Sequence, residues 1–105
     1  MRFELPQELN FDLDFEIERI KKFINFYLER VNKKKVIIGL SGGIDSALVL
    51  KLLTLSIPKE NILALILPEK DTEKKNVLDA INFAKELNVD FKVINISKIL
   101  SKFGI

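Results

Sequence analysis

Two residue types that carry much of protein chemistry are missing from this chain. Its 105 residues include neither cysteine nor histidine. Without cysteine there can be no disulfide, no thiolate metal site and no thiol nucleophile. Without histidine the usual general base, the Ser–His arrangements and the commonest zinc ligand are excluded as well. Any chemistry must rest on carboxylates, hydroxyls, lysines, backbone groups or a bound metal. Long apolar runs are also lacking, since a membrane-spanning helix takes about 20 such residues. The first residues include Glu4, Glu8, Asp12 and Asp14 in place of the basic-then-apolar order of a secretory signal. A cytoplasmic location is therefore expected. A strong charge of either sign is missing too. The net charge is +2, and the tightest basic cluster, Lys33-Lys34-Lys35, reads as a solvated turn. Neither nucleic acid nor a membrane surface is an expected partner. There is no internal repeat, low-complexity segment or linker, so residues 1–105 read as a single domain.

What is present is enough for a folded chain, with 48% hydrophobic and 30% charged residues. Pro6 breaks any early helix. From Asp12 onward Ile17, Ile20, Ile24, Leu28 and Val31 recur at three- and four-residue steps, with charged residues opposite. This predicts an amphipathic helix over about 14–32, with Asp12 or Asp14 as cap. Lys35–Leu40 and Ile62–Leu67 are continuously apolar or nearly so, the pattern of strands covered on both faces in a parallel sheet. Helices are expected over 45–55 and from Thr72, as N-cap, to about Leu87. A third strand is expected over 91–96, then a short helix capped by Ser97. Phe23, Phe83 and Phe91 fall at core spacing. The order is a helix, then βαβαβ, then the start of a helix. It predicts an α/β fold with a three-stranded parallel sheet, the second strand between the first and third.

The most informative stretch is Ser41-Gly42-Gly43-Ile44-Asp45-Ser46, between the first strand and the following helix. A glycine-rich turn there aims backbone N–H groups and the positive end of a helix dipole at one spot, which suits phosphate. It is neither of two familiar phosphate loops. The lysine of G-x-x-x-x-G-K-[ST] is missing, and the glycines do not follow G-x-G-x-x-G. Adjacent Gly42 and Gly43 permit backbone conformations closed to other residues, and Ser41 and Ser46 place hydroxyls on either side. Asp45 would repel a phosphate unless a cation sat between them, and a shared Mg²⁺ resolves that conflict. The plainer reading is a strand–turn–helix in which Gly-Gly makes the turn and Asp45 or Ser46 caps the helix. After the second strand, Glu69, Lys70 and Asp71 read as exposed loop, with a contact to ribose or phosphate as the alternative.

The hexapeptide resembles the SGGxDS motif of the N-type ATP pyrophosphatases, the PP-loop superfamily. Its flanks are similar to those of ammonia-dependent NAD synthetase from about Ile17 onward. The similarity runs through Val36–Leu48, Leu67-Pro68, Thr72, Asp79-Ala80, Ala84, Leu87-Asn88-Val89 and Val93–Ile96. The resemblance implies the first half of a doubly wound, adenine nucleotide alpha hydrolase-like domain. It implies that Gly39, Leu40, Ser41, Gly42, Gly43, Ile44, Asp45 and Ser46 hold the phosphates of ATP, that Asp45 holds Mg²⁺, and that the backbone at Leu67 meets adenine. The implied reaction is amidation of deamido-NAD by ammonia through an adenylated carboxylate. The family's domain continues through further strands and helices, so the resemblance also implies a truncated chain, inactive alone. Such a chain would leave an apolar edge in water and be poorly stable, or it would rely on a homodimer or a complementary C-terminal chain. Two other readings stay open: a non-catalytic nucleotide-binding remnant, or the PP-loop part of a GMP-synthetase or tRNA-modifying type of enzyme.

Overall fold

The computed structural model describes residues 12–104. Pro6 and the other early residues lie outside them. Helix α1 spans Leu13–Arg30 and is capped by Asp12, whose carboxylate accepts the Phe15 amide at 3.1 Å. Asp14 and Glu16 in its first turn and Arg30 in its last suit the helix dipole. Asn32 ends the helical path with φ of 55°, a left-handed conformation that asparagine tolerates. Strand β1 (Val36–Gly39), helix α2 (Ile44–Ser56), strand β2 (Ile62–Ile66), helix α3 (Lys74–Glu86), strand β3 (Asp90–Val93) and helix α4 (Ser97–Lys102) follow, with a 3₁₀ turn at Lys59–Asn61 before β2. Asn88, with φ of 56°, closes α3 in the same manner.

The three strands pair in parallel in the order β1-β2-β3. The βαβαβ order and the position of β2 are those expected from the sequence. Several boundaries differ. The third strand stops at Val93 and not at Ile96, although the Ile94 and Ile96 amides still donate to the carbonyls of Ile66 and Pro68, both at 2.9 Å. Thr72 does not cap α3. Glu73 occupies that position without a side-chain cap, and the Thr72 hydroxyl closes a turn instead, accepting the Glu69 amide at 3.0 Å. Ser97 is likewise inside α4, its own amide bound at 2.9 Å by the side chain of Asn95.

The sheet is covered on one face. In a parallel pair, residues in register point the same way. Val36 and Ile62, then Ile38, Ala64 and Phe91, form rows that pack with Leu50 and Leu53 of α2 and with Ala80 and Ala84 of α3. Both crossovers step in the same direction along the sheet, so right-handed connections put both helices on the same side. Helix α1 packs on α2 and not on the other face, with Ile24 and Leu28 against the core and the Asn25 side chain donating to the Ser56 carbonyl at 3.1 Å. The opposite rows hold Ile37, Leu63 and Asp90, then Gly39, Leu65 and Lys92. Ile37 is 65% exposed, and nothing lies within 4 Å of where a Cβ on Gly39 would sit. Coverage of β1 on both faces, expected from its unbroken apolarity, is therefore not found among the described residues. Phe23 departs from expectation as well. It is 67% exposed and stacks on Tyr27 at 6.4 Å between ring centroids, whereas Phe83 and Phe91 do pack against the core. No helix among the described residues is long and apolar enough to cross a membrane.

Candidate functional site

Parallel strands bring all their carboxyl ends to one edge of the sheet, and ligands of open α/β sheets gather there. The hexapeptide leaves that edge from β1. Leu40 is its root, buried to 3% exposure, with its amide donating to the Leu65 carbonyl at 2.8 Å. The chain then turns at Gly42, whose φ of +83° a residue with a side chain rarely adopts. A second constraint acts at the same residue. A Cβ on Gly42 would overlap the Asn76 carbonyl oxygen in the first turn of α3 and lie 3.0 Å from its carbon. Gly43 is in extended geometry at the head of α2, with no side-chain cap.

The two serines tie the loop from within. The Ser46 hydroxyl accepts the Ser41 amide at 3.1 Å and lies 3.1 Å from the Ser41 hydroxyl, which accepts the Gly43 amide at 3.3 Å. Both hydroxyls thus brace the loop from within. Neither Asp45 nor Ser46 acts as the helix cap of the plainer reading. The amides of Gly42, Ile44, Asp45 and Ser46 have no partner among the described residues. Three of these N–H groups, those of Ile44, Asp45 and Ser46, begin the 13-residue helix α2, an end that favours an anion. Asp45 is exposed in the first turn of that helix and makes no salt bridge among the described residues.

Asp45 offers one exposed carboxylate, and no group of three or more acidic or other ligating side chains gathers among the described residues. A single carboxylate matches Mg²⁺, which keeps waters and phosphate oxygens as its other ligands, better than an ion that needs a full protein cage.

Leu67 follows β2 beside this loop. With Leu40, Ser41, Ile66, Pro68, Thr72 and Val77 it borders a cleft of about 110 Å³. The site residues expected from the sequence, Gly39 to Ser46 and Leu67, therefore lie at one end of the sheet. Lys70 and Glu69 lie on the far side of Pro68, on a larger cavity of about 600 Å³ shared with α4. Two residues at the site carried no sequence signal for it. Asn76 contributes a backbone carbonyl, which any residue could supply. Thr72 reads equally well as a helix cap, and its place beside the loop follows only from the strand pairing.

Comparison with known proteins identifies the family of the fold. The NAD synthase family model matches residues 16–104. An NH3-dependent NAD+ synthetase of Coprothermobacter proteolyticus is 43% identical over 90 residues, covering 86% of this chain and 30% of that protein. The structure of the NH3-dependent NAD synthetase of Campylobacter jejuni, a nitrate complex, superposes with a TM-score of 0.82 at 36% identity, over 89% of this chain and 40% of that one. A glutamine-dependent NAD+ synthetase of Acinetobacter baumannii, in complex with ADP, gives a TM-score of 0.70 at 39% identity, over 73% of this chain and 15% of that one. The chain thus spans two-fifths or less of the length of each of these relatives.

Proposed function

This chain belongs to the NAD synthase family, and from that premise we propose that it carries the ATP-phosphate-binding part of an enzyme that amidates deamido-NAD with ammonia. The single observation that carries the proposal is the set of four amides, at Gly42, Ile44, Asp45 and Ser46, without partners among the described residues and with one exposed carboxylate among them. The ADP bound by the Acinetobacter baumannii relative supports an adenine nucleotide as ligand.

In this reading Gly39 to Ser46 receive the β- and γ-phosphates, and Asp45 would hold Mg²⁺. The bound cation supplies positive charge against the pyrophosphate as negative charge builds on it. The chain's own part is to present oriented N–H donors where that charge develops, at no cost of reorganisation. A carboxylate oxygen of deamido-NAD attacks the α-phosphorus, the bond to the β-phosphate oxygen breaks, and pyrophosphate leaves toward these amides. Ammonia then attacks the adenylated carbonyl carbon and loses a proton, and AMP departs. No histidine is required, because ammonia is itself a nucleophile. The cleft beside Leu67 takes the adenine against apolar walls and backbone groups.

Among the described residues one sheet face is uncovered and β1 has no strand on its outer edge, which bears on partners. Ile37, Leu63, Leu65 and Gly39 form an apolar surface of the sort that parallel sheets cover with helices. The complementing polypeptide is one equivalent to the remaining part of the relatives, which also brings the deamido-NAD pocket. A second copy of the chain is the other candidate. The test is release of pyrophosphate from ATP with deamido-NAD and ammonia, by this chain alone and with that polypeptide. Release only in the mixture supports the reading. MgATP binding without release in either case favours a nucleotide-binding module, and no MgATP binding at all would remove the proposal.

A further inference from the structure

The phosphate loop is fixed from three directions, and the third has a control point. At its root, Leu40 is bonded to β2. From within, Ser41 and Ser46 brace it. On its outer side Gly42 lies so close to the first turn of α3 that a methyl group there would overlap the Asn76 carbonyl. The position of that turn therefore sets where the Gly42 and Gly43 amides can point.

Packing of Ala80 and Ala84 holds the body of α3 on the sheet, and the turn that leads into its first residues is closed at Thr72. Helix α3 begins at Lys74 without a side-chain cap and with no acidic residue in its first turn to favour the dipole. The segment leading into it is anchored at Pro68, whose carbonyl accepts the Ile96 amide at 2.9 Å. Between these points the chain reverses through Glu69–Thr72. Two bonds close the reversal: the Thr72 amide donates to the Glu69 carbonyl, and the Glu69 amide donates to the Thr72 hydroxyl, both at 3.0 Å. Among the described residues the second is the one side-chain hydrogen bond at the start of α3. Thr72 is half-buried and borders the same cleft as Leu40 and Ser41.

We propose that Thr72 is a positioning residue for the phosphate loop: its hydroxyl fixes the 69–72 turn, hence the first turn of α3, hence the Asn76 carbonyl on which Gly42 rests. The consequence for nucleotide affinity rests on the reading of the loop as an ATP site. The coupling from Thr72 to Gly42 does not. The two are therefore measured separately on the 105-residue chain.

Amide resonances of ¹⁵N-labelled wild type, Thr72→Val and Thr72→Ser report the coupling without any ligand. Thr72→Val keeps the shape of the side chain and removes the hydroxyl. It should displace the Gly42 and Gly43 resonances and speed their hydrogen exchange, while Thr72→Ser leaves both as in wild type. The converse holds for Gly42→Ala, which should displace the Thr72 and Asn76 resonances, and this gives a second route if Thr72→Val folds poorly. MgATP titration then measures the consequence. Thr72→Val should weaken binding roughly threefold to tenfold, the equivalent of one hydrogen bond, and Thr72→Ser should restore it. Glycine resonances that stay in place in Thr72→Val, while that of Glu69 moves, overturn the proposal. A wild-type chain that ignores MgATP counts against the ATP reading, and the resonance comparison still decides the role of Thr72.

Discussion

The two faces of one sheet behave as though they came from different proteins. On the face under α2 and α3, Ile62, Ala64 and Ile66 of β2 are at most 2% exposed, and Leu50 of α2 is fully buried against them. On the other face Ile37 is 65% exposed, and Leu63 and Leu65 are only half-buried. Ile37, Leu63 and Leu65 are as apolar as their counterparts, although β3 adds Asp90 and Lys92 to these rows, so composition alone does not make the difference. Crossover direction does, because both helices fall on one side and α1 adds to α2 rather than to the bare face. Stability of the chain by itself is therefore concentrated on one face, and the apolar rows of the other contribute little until something covers them.

Substitutions matched across the sheet test this contrast. The largest effect belongs to the covered face. Leu50→Ala should cost about 2–5 kcal/mol in urea melts, through lost burial and the cavity left behind. In a domain of this size a loss of that order can leave no folded population. Gly42→Ala, at the sheet end that both faces share, combines a left-handed φ with the collision against Asn76. It should cost about 1–3 kcal/mol by the same measurement. Removing the α1 cap with Asp12→Ala acts far from the bare face and should cost about 1 kcal/mol, read as a lower urea midpoint. The smallest effect belongs to the bare face. Ile37→Ser should change stability by no more than about 0.5 kcal/mol, as for other exposed positions. A cost for Ile37→Ser comparable to that for Leu50→Ala would show that the second face is covered in solution and break the comparison.

The parts of this structure that were legible in the sequence are those fixed by near neighbours. Val36–Ile38, the glycine pair and the apolar run after Ser46 specify strand, loop and helix within about twenty residues, and the asparagine at 88 marks the end of α3. The strand order followed because short crossovers leave few topologies. What could not be read depends on partners distant in sequence. Unbroken apolarity in β1 says that both faces can be buried, without saying what buries them. Phe23 sits at core spacing on α1, but α2 takes the neighbouring stripe of Ile24 and Leu28 and leaves the ring outside. Thr72 was expected to cap α3, and the turn bond to Glu69 prevailed over that role. At the candidate site the glycines pointed to the loop, but the Asn76 carbonyl that makes Gly42 indispensable has no trace in the sequence.

The central claim is that the bare amides and Asp45 at the end of β1 form a Mg²⁺-dependent ATP site on a scaffold held by the covered face. Titration of MgATP into the wild-type chain and into Asp45→Ala, with and without chelator, tests it most directly. The account predicts saturable binding by wild type that chelator abolishes, and its loss in Asp45→Ala with the melting transition unchanged. Equal ATP affinity in wild type and Asp45→Ala, or binding indifferent to Mg²⁺, would contradict it.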